Sequence, residues 1–252
     1  MITLLYVDEH VVVADKPSGL LVHRGWANDD DVALFRVRDA VGEHVHPIHR
    51  LDRGTSGALL FARNREAAAI LCKSFEDGKV EKRYLALVRG TPPAEGLIDH
   101  PIPKGEDGPK VPAQTRFRLI LRSPIDRCSL VVAMPETGRL HQIRRHLRHA
   151  NHPLVGDVNY GSGSINRHYR AEYNLHRLAL HASRLGFIHP VTGVRVVVDA
   201  PVPDDLGDAL VKLQLPLGEE VASPWSCDSH DTSSRRSPWS CDSHDTSSRR
   251  SP

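Results

Sequence analysis

Asp52 is the side chain with the most obvious capacity for chemistry, set between Arg50 and Arg53 in the run His49-Arg50-Leu51-Asp52-Arg53-Gly54-Thr55-Ser56-Gly57. Cations beside a carboxylate favour its charged form and lower its pKa, so Asp52 is expected to stay ionised at neutral pH and serve as a nucleophile or base. The plainer alternative is an exposed turn carrying ordinary surface ion pairs. Histidine is abundant, 16 in all, and His46, His49 and Asp52 have ligand-like spacing that would suit a metal-dependent hydrolase. Against that, Arg50 and Arg53 put positive charge where a cation would have to sit, and no second carboxylate lies nearby in sequence. No metal is therefore expected.

These residues need elements to hold them. Ala58 to Ala62 reads as a buried strand that anchors the Asp52 loop to a sheet, with Gly54 and Gly57 freeing the backbone to turn and Thr55 and Ser56 hydrogen-bonding locally. Upstream, residues 3 to 7 and 11 to 15 form a strand pair ending at the turn Lys16-Pro17-Ser18-Gly19, and Asp29, Asp30 and Asp31 start a short helix running to about Ala40. Asn64 is placed to cap a helix over 64 to 77, with Ala67, Ile70, Leu71 and Phe75 on one face and Gly78 as its stop. A strand follows at 84 to 88, then a loop from 90 to 112 with a short strand at 97 to 99.

Further strands are expected at 114 to 121, 128 to 133, 184 to 189 and 194 to 198, a mobile polar loop at 157 to 174, and a last helix at 204 to 213. A basic helix over 139 to 150 carries an apolar stripe of Leu140, Ile143, Leu147 and Ala150; Arg144 borders the stripe and Arg145 points away from it. Helices interspersed with hairpin-like strands predict an α+β fold with a mixed, mainly antiparallel central sheet and flanking helices.

The string His-Arg-Leu-Asp-x-x-Thr-Ser-Gly at 49 to 57 resembles the signature of the pseudouridine synthases that act on large-subunit ribosomal RNA and tRNA. The likeness continues through Asp15-Lys16-Pro17-Ser18-Gly19-Leu20, Lys82-Arg83-Tyr84-Leu85-Ala86, Thr137-Gly138-Arg139-Leu140-His141-Gln142-Ile143-Arg144 and His152-Pro153-Leu154-Val155-Gly156-Asp157, in the family's order over roughly residues 1 to 215. It implies an enzyme that takes a uridine out of its stack, cleaves the glycosidic bond and rejoins the base through C5 without a cofactor. Asp52 would attack the sugar or take a proton from it, Arg144 would pair with Asp52, and Tyr84 would lie against the base. Arg50 would fill the space the flipped nucleotide leaves. Lys16, Arg139, His141, Gln142, Arg145 and Arg148 would contact RNA, chiefly its backbone, which positions without reading sequence. Read without the likeness, Tyr84 is a half-buried core aromatic and the basic helix a solvated face. Leu20-Leu21-Val22-His23-Arg24-Gly25-Trp26 looks most like the branch that modifies uridine 65 of tRNA. Ribosomal RNA is the alternative substrate, and an RNA-binding protein without catalysis the alternative class.

Composition bounds the remainder. The 252 residues carry 33 Lys and Arg against 31 Asp and Glu, a net charge of +2, so only a local basic face can serve a nucleic acid. Four cysteines without C-x-x-C spacing suit reduced thiols in the cytoplasm. The N-terminal residues show no basic lead or cleavage site, and no apolar run is long enough to span a bilayer, so no membrane is expected. The chain divides into a catalytic domain at 1–222 and a tail at 223–252, where a 14-residue unit occurs at 223–236 and again at 237–250. That repeat has almost no aliphatic side chains and is expected to be disordered; an RNA-binding arm with Trp225 and Trp239 as stacking groups is the alternative. A monomer with RNA as its partner, and no obligate protein partner, completes the expectation.

Overall fold

Val11 to Val13 and Ala58 to Ala62 are apolar at every position, as strands covered on both faces must be. They lie side by side: β2 (Val11–Lys16) pairs antiparallel with β4 (Ser56–Ala62). The computed structural model describes residues 1–24, 30–104 and 108–217. Gly25, Trp26 and Asp29, together with the expected disordered tail at 223–252, lie outside the described residues.

In chain order β1 (Thr3–Val7) precedes β2, and α1 (Ala33–Val41), β3 (His46–Pro47) and β4 lead to α2 (Arg65–Glu76) and β5 (Glu81–Arg89). Then come β6 (Glu95–Asp99), β7 (Ile102–Pro103), β8 (Lys110–Val111), β9 (Gln114–Arg122), β10 (Cys128–Pro135) and α3 (Gln142–His149). Helix α4 (Gly163–Tyr173), β11 (Leu180–Ile188), β12 (Arg195–Asp199) and α5 (Asp204–Lys212) complete the described elements. The sheet order is β1-β2-β4-β11-β5-β10-β9-β6, with β3 beside β4 and β12 beside β11. Most pairings are antiparallel, while β11 runs parallel to β4 and so joins the two halves. The architecture is the expected α+β one.

Alternation along the strands sends side chains to opposite faces. Leu59 and Phe61 of β4 pack with Ala33 and Val37 of α1, while Leu60 and Ala62 pack with Ala67 and Leu71 of α2. Across the seam, Ala86 and Val88 of β5 meet Ile143 and Leu147 of α3, and Leu85 and Leu87 meet Tyr169 of α4 and Leu206 and Leu210 of α5. Tyr84 touches both the α1 cluster and the α3 cluster, which places it at the junction of the two halves.

Five local expectations are corrected. Residues 163 to 173 form a helix rather than a mobile loop. Its glycines and serines mask a stripe of Ile165, Tyr169 and Tyr173, four residues apart, that packs on the α5 cluster. Ile70 is exposed at 48%, and Ala68 and Cys72 join the buried side of α2 instead. No acidic side chain sits in the first turn of α1; Asp31 instead accepts from Arg36 Nε at 2.7 Å. The basic helix begins at Gln142 because His141 is left-handed, so Leu140 falls outside it and is 37% exposed. The loop at 90 to 112 also contains the β7–β8 ribbon, which its proline and glycine content obscured.

Candidate active site

The Asp52 loop connects β3 to β4 and is fastened from below. Thr55 N donates to Asp52 O at 3.0 Å, closing a turn, and His49 Nε2 accepts the Leu60 amide at 3.1 Å while its ring stacks on Phe75. Burial, then the Lys82 charge, push the His49 pKa down to about 3, so this ring is a neutral structural group. The turn after β2 is stitched to the same loop: Gly19 N donates to Arg53 O at 2.8 Å, Ser18 Oγ to Gly54 O at 2.8 Å and Arg53 Nε to Gly19 O at 2.9 Å.

Lys16 completes this stitching and is not available to RNA, contrary to expectation. Its side chain has no exposed surface, and Nζ donates to Pro17 O, Leu20 O and Arg53 O at 2.9, 2.8 and 3.2 Å. Burial, then the nearby Arg177 charge, push its pKa down to about 7.

Gly57 matters for close approach rather than for a turn. Its φ is +109°, and a Cβ there would lie 2.3 Å from the Ala182 carbonyl oxygen, so only glycine lets β4 and β11 run side by side. Ser56 bonds across the chain rather than locally: its Oγ lies 2.8 Å from His181 Nδ1 and accepts from Arg177 at 2.6 Å.

The cation nearest Asp52 comes from far along the chain. Arg144 NH1 donates to Asp52 Oδ2 at 3.1 Å, whereas Arg53 is turned to Gly19 and Arg50 is exposed at the rim. Arg144 is itself gripped on its other edge by Asp157, with Nε to Oδ2 at 2.7 Å and NH2 to Oδ1 at 2.8 Å. Asp157 has no exposed side-chain surface and also accepts the Asn159 and Tyr160 amides at 2.9 and 3.1 Å. Burial opposes its charge, but the Arg144 and amide bonds outweigh that and hold the carboxyl below its usual range. A bidentate fork of this kind fixes a guanidinium plane. Position 157 was legible only as part of a motif; nothing in its spacing announced a partner for Arg144.

Asp52 opens into a cleft of about 590 Å³ whose lining includes Arg50, Thr55, Tyr84, Leu140, Ile143 and Arg144. Burial, then the Asp52 charge, push the Tyr84 phenol well above its ordinary pKa. Tyr84 therefore presents a flat ring and an undissociated hydroxyl. A charged carboxylate, a flat aromatic face and a cavity of this size can take a single nucleotide turned out of a stack, with the sugar against Asp52.

Among the residues assigned to RNA, the structure separates three groups. Arg139 and Arg148 are exposed, and Arg139 Nε donates to Pro112 O at 3.2 Å. Gln142 is buried and fully committed: Oε1 accepts Thr137 Oγ1 and Arg139 N at 2.6 and 3.0 Å, and Nε2 donates to Gln114 O and Thr115 Oγ1 at 2.8 and 3.0 Å. It braces the start of α3 and has no free group for RNA, which corrects that assignment. Arg145 does not point away as the helical wheel implied; it is half-buried, with Nε donating to Tyr160 Oη at 2.8 Å. His141 sits in the cleft, Nδ1 3.0 Å from the same Tyr160 hydroxyl and Nε2 3.8 Å from Asp52 Oδ1. Tyr160 was passed over in the sequence because it lies in the segment read as loop.

The metal reading loses its ligands. His49 Nε2 is occupied by an amide and Asp52 by a guanidinium, and among the described residues no three His, Cys, Asp or Glu side chains are grouped to hold an ion.

Comparison with known proteins identifies relatives over most of the chain. Residues 10–149 match the family described as RNA pseudouridylate synthase. A tRNA pseudouridine synthase C of Pasteurella multocida is 41% identical over 220 residues, which cover 79% of this chain and 90% of that protein. A protein of the same name from Vibrio parahaemolyticus is 37% identical over 222 residues, 80% of this chain and 90% of that one. Among solved structures, human RNA pseudouridylate synthase domain containing 4 superposes with a TM-score of 0.69 at 26% identity, covering 84% of this chain and 92% of its own.

Proposed function

The chain belongs to the RNA pseudouridylate synthase family, and on that premise we propose that it converts uridine 65 of tRNA to pseudouridine, with Asp52 as the catalytic carboxylate. The observation that carries this is the pairing of Asp52 with Arg144 at 3.1 Å, in a cleft that Tyr84 also lines. Arg144, clamped by Asp157, keeps one Asp52 oxygen oriented while the carboxylate acts on the sugar. Tyr84 stacks on the released base and keeps it in the cleft while it turns to present C5. Arg50, exposed at the rim, enters the space the nucleotide leaves, and Arg139 and Arg148 hold backbone phosphates. In this reading residues 1–222 form the catalytic unit, which works as a cytoplasmic monomer without a cofactor. Among the described residues no helix is long and apolar enough to cross a membrane. The relatives' tRNA names and their cover of most of this chain support tRNA over ribosomal RNA.

The test is to map pseudouridines in total RNA from cells with the gene, without it, and with Asp52→Asn in its place. Loss of the modification at position 65 of tRNA in both altered strains is expected. Retention there, with loss at a ribosomal RNA position, would overturn the substrate. Wild-type turnover by Asp52→Asn would overturn the catalytic role.

A further inference from the structure

We infer that His141 is a positioning residue for Asp52, held as its Nε2–H tautomer by Tyr160 and Arg145 so that this N–H faces the second oxygen of the catalytic carboxylate. The inference deepens the proposed reaction and rests on Asp52 as its carboxylate.

The tautomer follows from donor and acceptor arithmetic. A guanidinium only donates, so in the 2.8 Å bond from Arg145 Nε the Tyr160 oxygen is the acceptor. The phenolic hydrogen is then left for His141 Nδ1, 3.0 Å away. A ring nitrogen that accepts carries no proton, and the proton of a neutral imidazole therefore sits on Nε2. That nitrogen is 3.8 Å from Asp52 Oδ1. The ring is neutral because burial pushes its pKa down and the Arg144 and Arg145 charges add to the effect, outweighing the pull of Asp52 and Asp157.

Two further observations point the same way. Arg144 donates to Asp52 Oδ2 at 3.1 Å and His141 Nε2 faces Oδ1 at 3.8 Å, so the two carboxylate oxygens are approached by different side chains. A separation of 3.8 Å is long for a hydrogen bond, and such contacts at catalytic groups tighten when substrate closes the site. His141 is also held at φ 54°, ψ 28°, a left-handed conformation uncommon for a residue with a side chain. Tyr160 in turn lies under both arginines, with Arg144 and Arg145 at 5.1 and 5.7 Å from its ring centre. The surroundings thus over-determine a strained residue at the mouth of the reactive carboxylate, as strain at functional positions requires.

The experiment measures single-turnover rate at saturating enzyme, and tRNA affinity, for His141→Leu, His141→Gln and Tyr160→Phe, with melting curves as a check on folding. A displacement of ~1 Å at a reacting group can cost ~100-fold, so His141→Leu is expected to slow the chemical step by roughly 10- to 100-fold with affinity nearly unchanged. His141→Gln keeps an N–H at the end of the side chain and is expected to recover most of the rate. Tyr160→Phe, which keeps the ring but frees the tautomer, is expected to fall between. If His141→Leu lowers affinity alone or leaves the rate unchanged, or if His141→Gln is as slow as His141→Leu, the inference is wrong. Should His141→Leu fail to fold, a Tyr160→Phe enzyme that folds and reacts at the wild-type rate is the overturning result. Absence of pseudouridine with the wild-type enzyme would instead remove the underlying reaction.

Discussion

Arg144 stands between two carboxylates, and cutting either link should leave a different signature. Arg144→Ala removes the counter-charge from Asp157, whose side chain has no exposed surface. Breaking a buried pair by deleting one partner costs about 3–5 kcal/mol, because the other charge stays buried and alone. At about 2–4 °C per kcal/mol for a chain of this size, the melting temperature should drop by about 6–20 °C. Asp157→Ala is milder, near 3 kcal/mol, since Asp52 still faces Arg144 at 3.1 Å. The double variant removes both buried charges, so its penalty should be smaller than the sum by about 1–3 kcal/mol. Turnover should separate from stability: Asp157→Ala frees the guanidinium from its fork and should slow single turnover by up to ~100-fold even where the protein is fully folded. Acid adds a second readout. The Asp157 carboxyl sits below its usual range in the folded protein, so its contribution is complete above the unfolded value of about 3.9 and fades as pH falls through the lower folded value. That acid-sensitive part of the stability should vanish in Asp157→Ala. Additive penalties in urea melts at pH 7, or wild-type turnover by Asp157→Ala, would refute the clamp.

Three other expectations follow from the geometry. Because the Tyr84 phenol is held above its ordinary pKa, the single-turnover rate should show no alkaline loss between about pH 8 and 10 that disappears in Tyr84→Phe; such a loss would mean the hydroxyl ionises in the cleft. Gly57→Ala would drive a Cβ to 2.3 Å from the Ala182 carbonyl oxygen, and a cost of roughly 3 kcal/mol or more should appear as lost soluble protein or a sharply lowered melt; an unaltered melt would contradict the β4–β11 approach. Exposed Arg148, replaced by alanine, should weaken tRNA binding and reduce its salt dependence by ~1 unit of slope while leaving single turnover intact, and a slowed chemical step would move Arg148 into the site.

The parts of the molecule that were legible in the sequence are those where local chemistry decides. Asn64 accepts the Ala67 amide at 2.8 Å as a capping residue should, and the apolar run at 58 to 62 is buried throughout. What local patterning could not supply is distance. The parallel contact of β4 with β11 joins Ser56 to His181 across 125 residues, and neither strand's pattern names its neighbour. The same holds for Arg144 and Asp157. Charge counting placed Arg50 and Arg53 beside Asp52, whereas the structure turns Arg53 to a carbonyl and brings Arg144 from 92 residues away. Lys16 and Gln142 were misassigned for a related reason: a polar side chain looks available until its buried acceptors and donors are counted.

The insertion of β11 between β4 and β5 also sets a schedule for synthesis. A ribosome adding about 5–20 residues per second needs about 6–25 s to pass from Ser56 to His181, the partner that closes the parallel contact. From the completion of β5 at Arg89 onward, the edges of β4 and β5 that β11 will later cover are complete in sequence yet open, a state that favours pairing with another chain. The halves carrying Asp52 and Arg144 can each begin to pack on their own helices, but the sheet that joins them waits for nearly the last strand. Nascent chains stalled before Leu180 should therefore be the aggregation-prone species, and chaperone demand should fall once β11 has emerged.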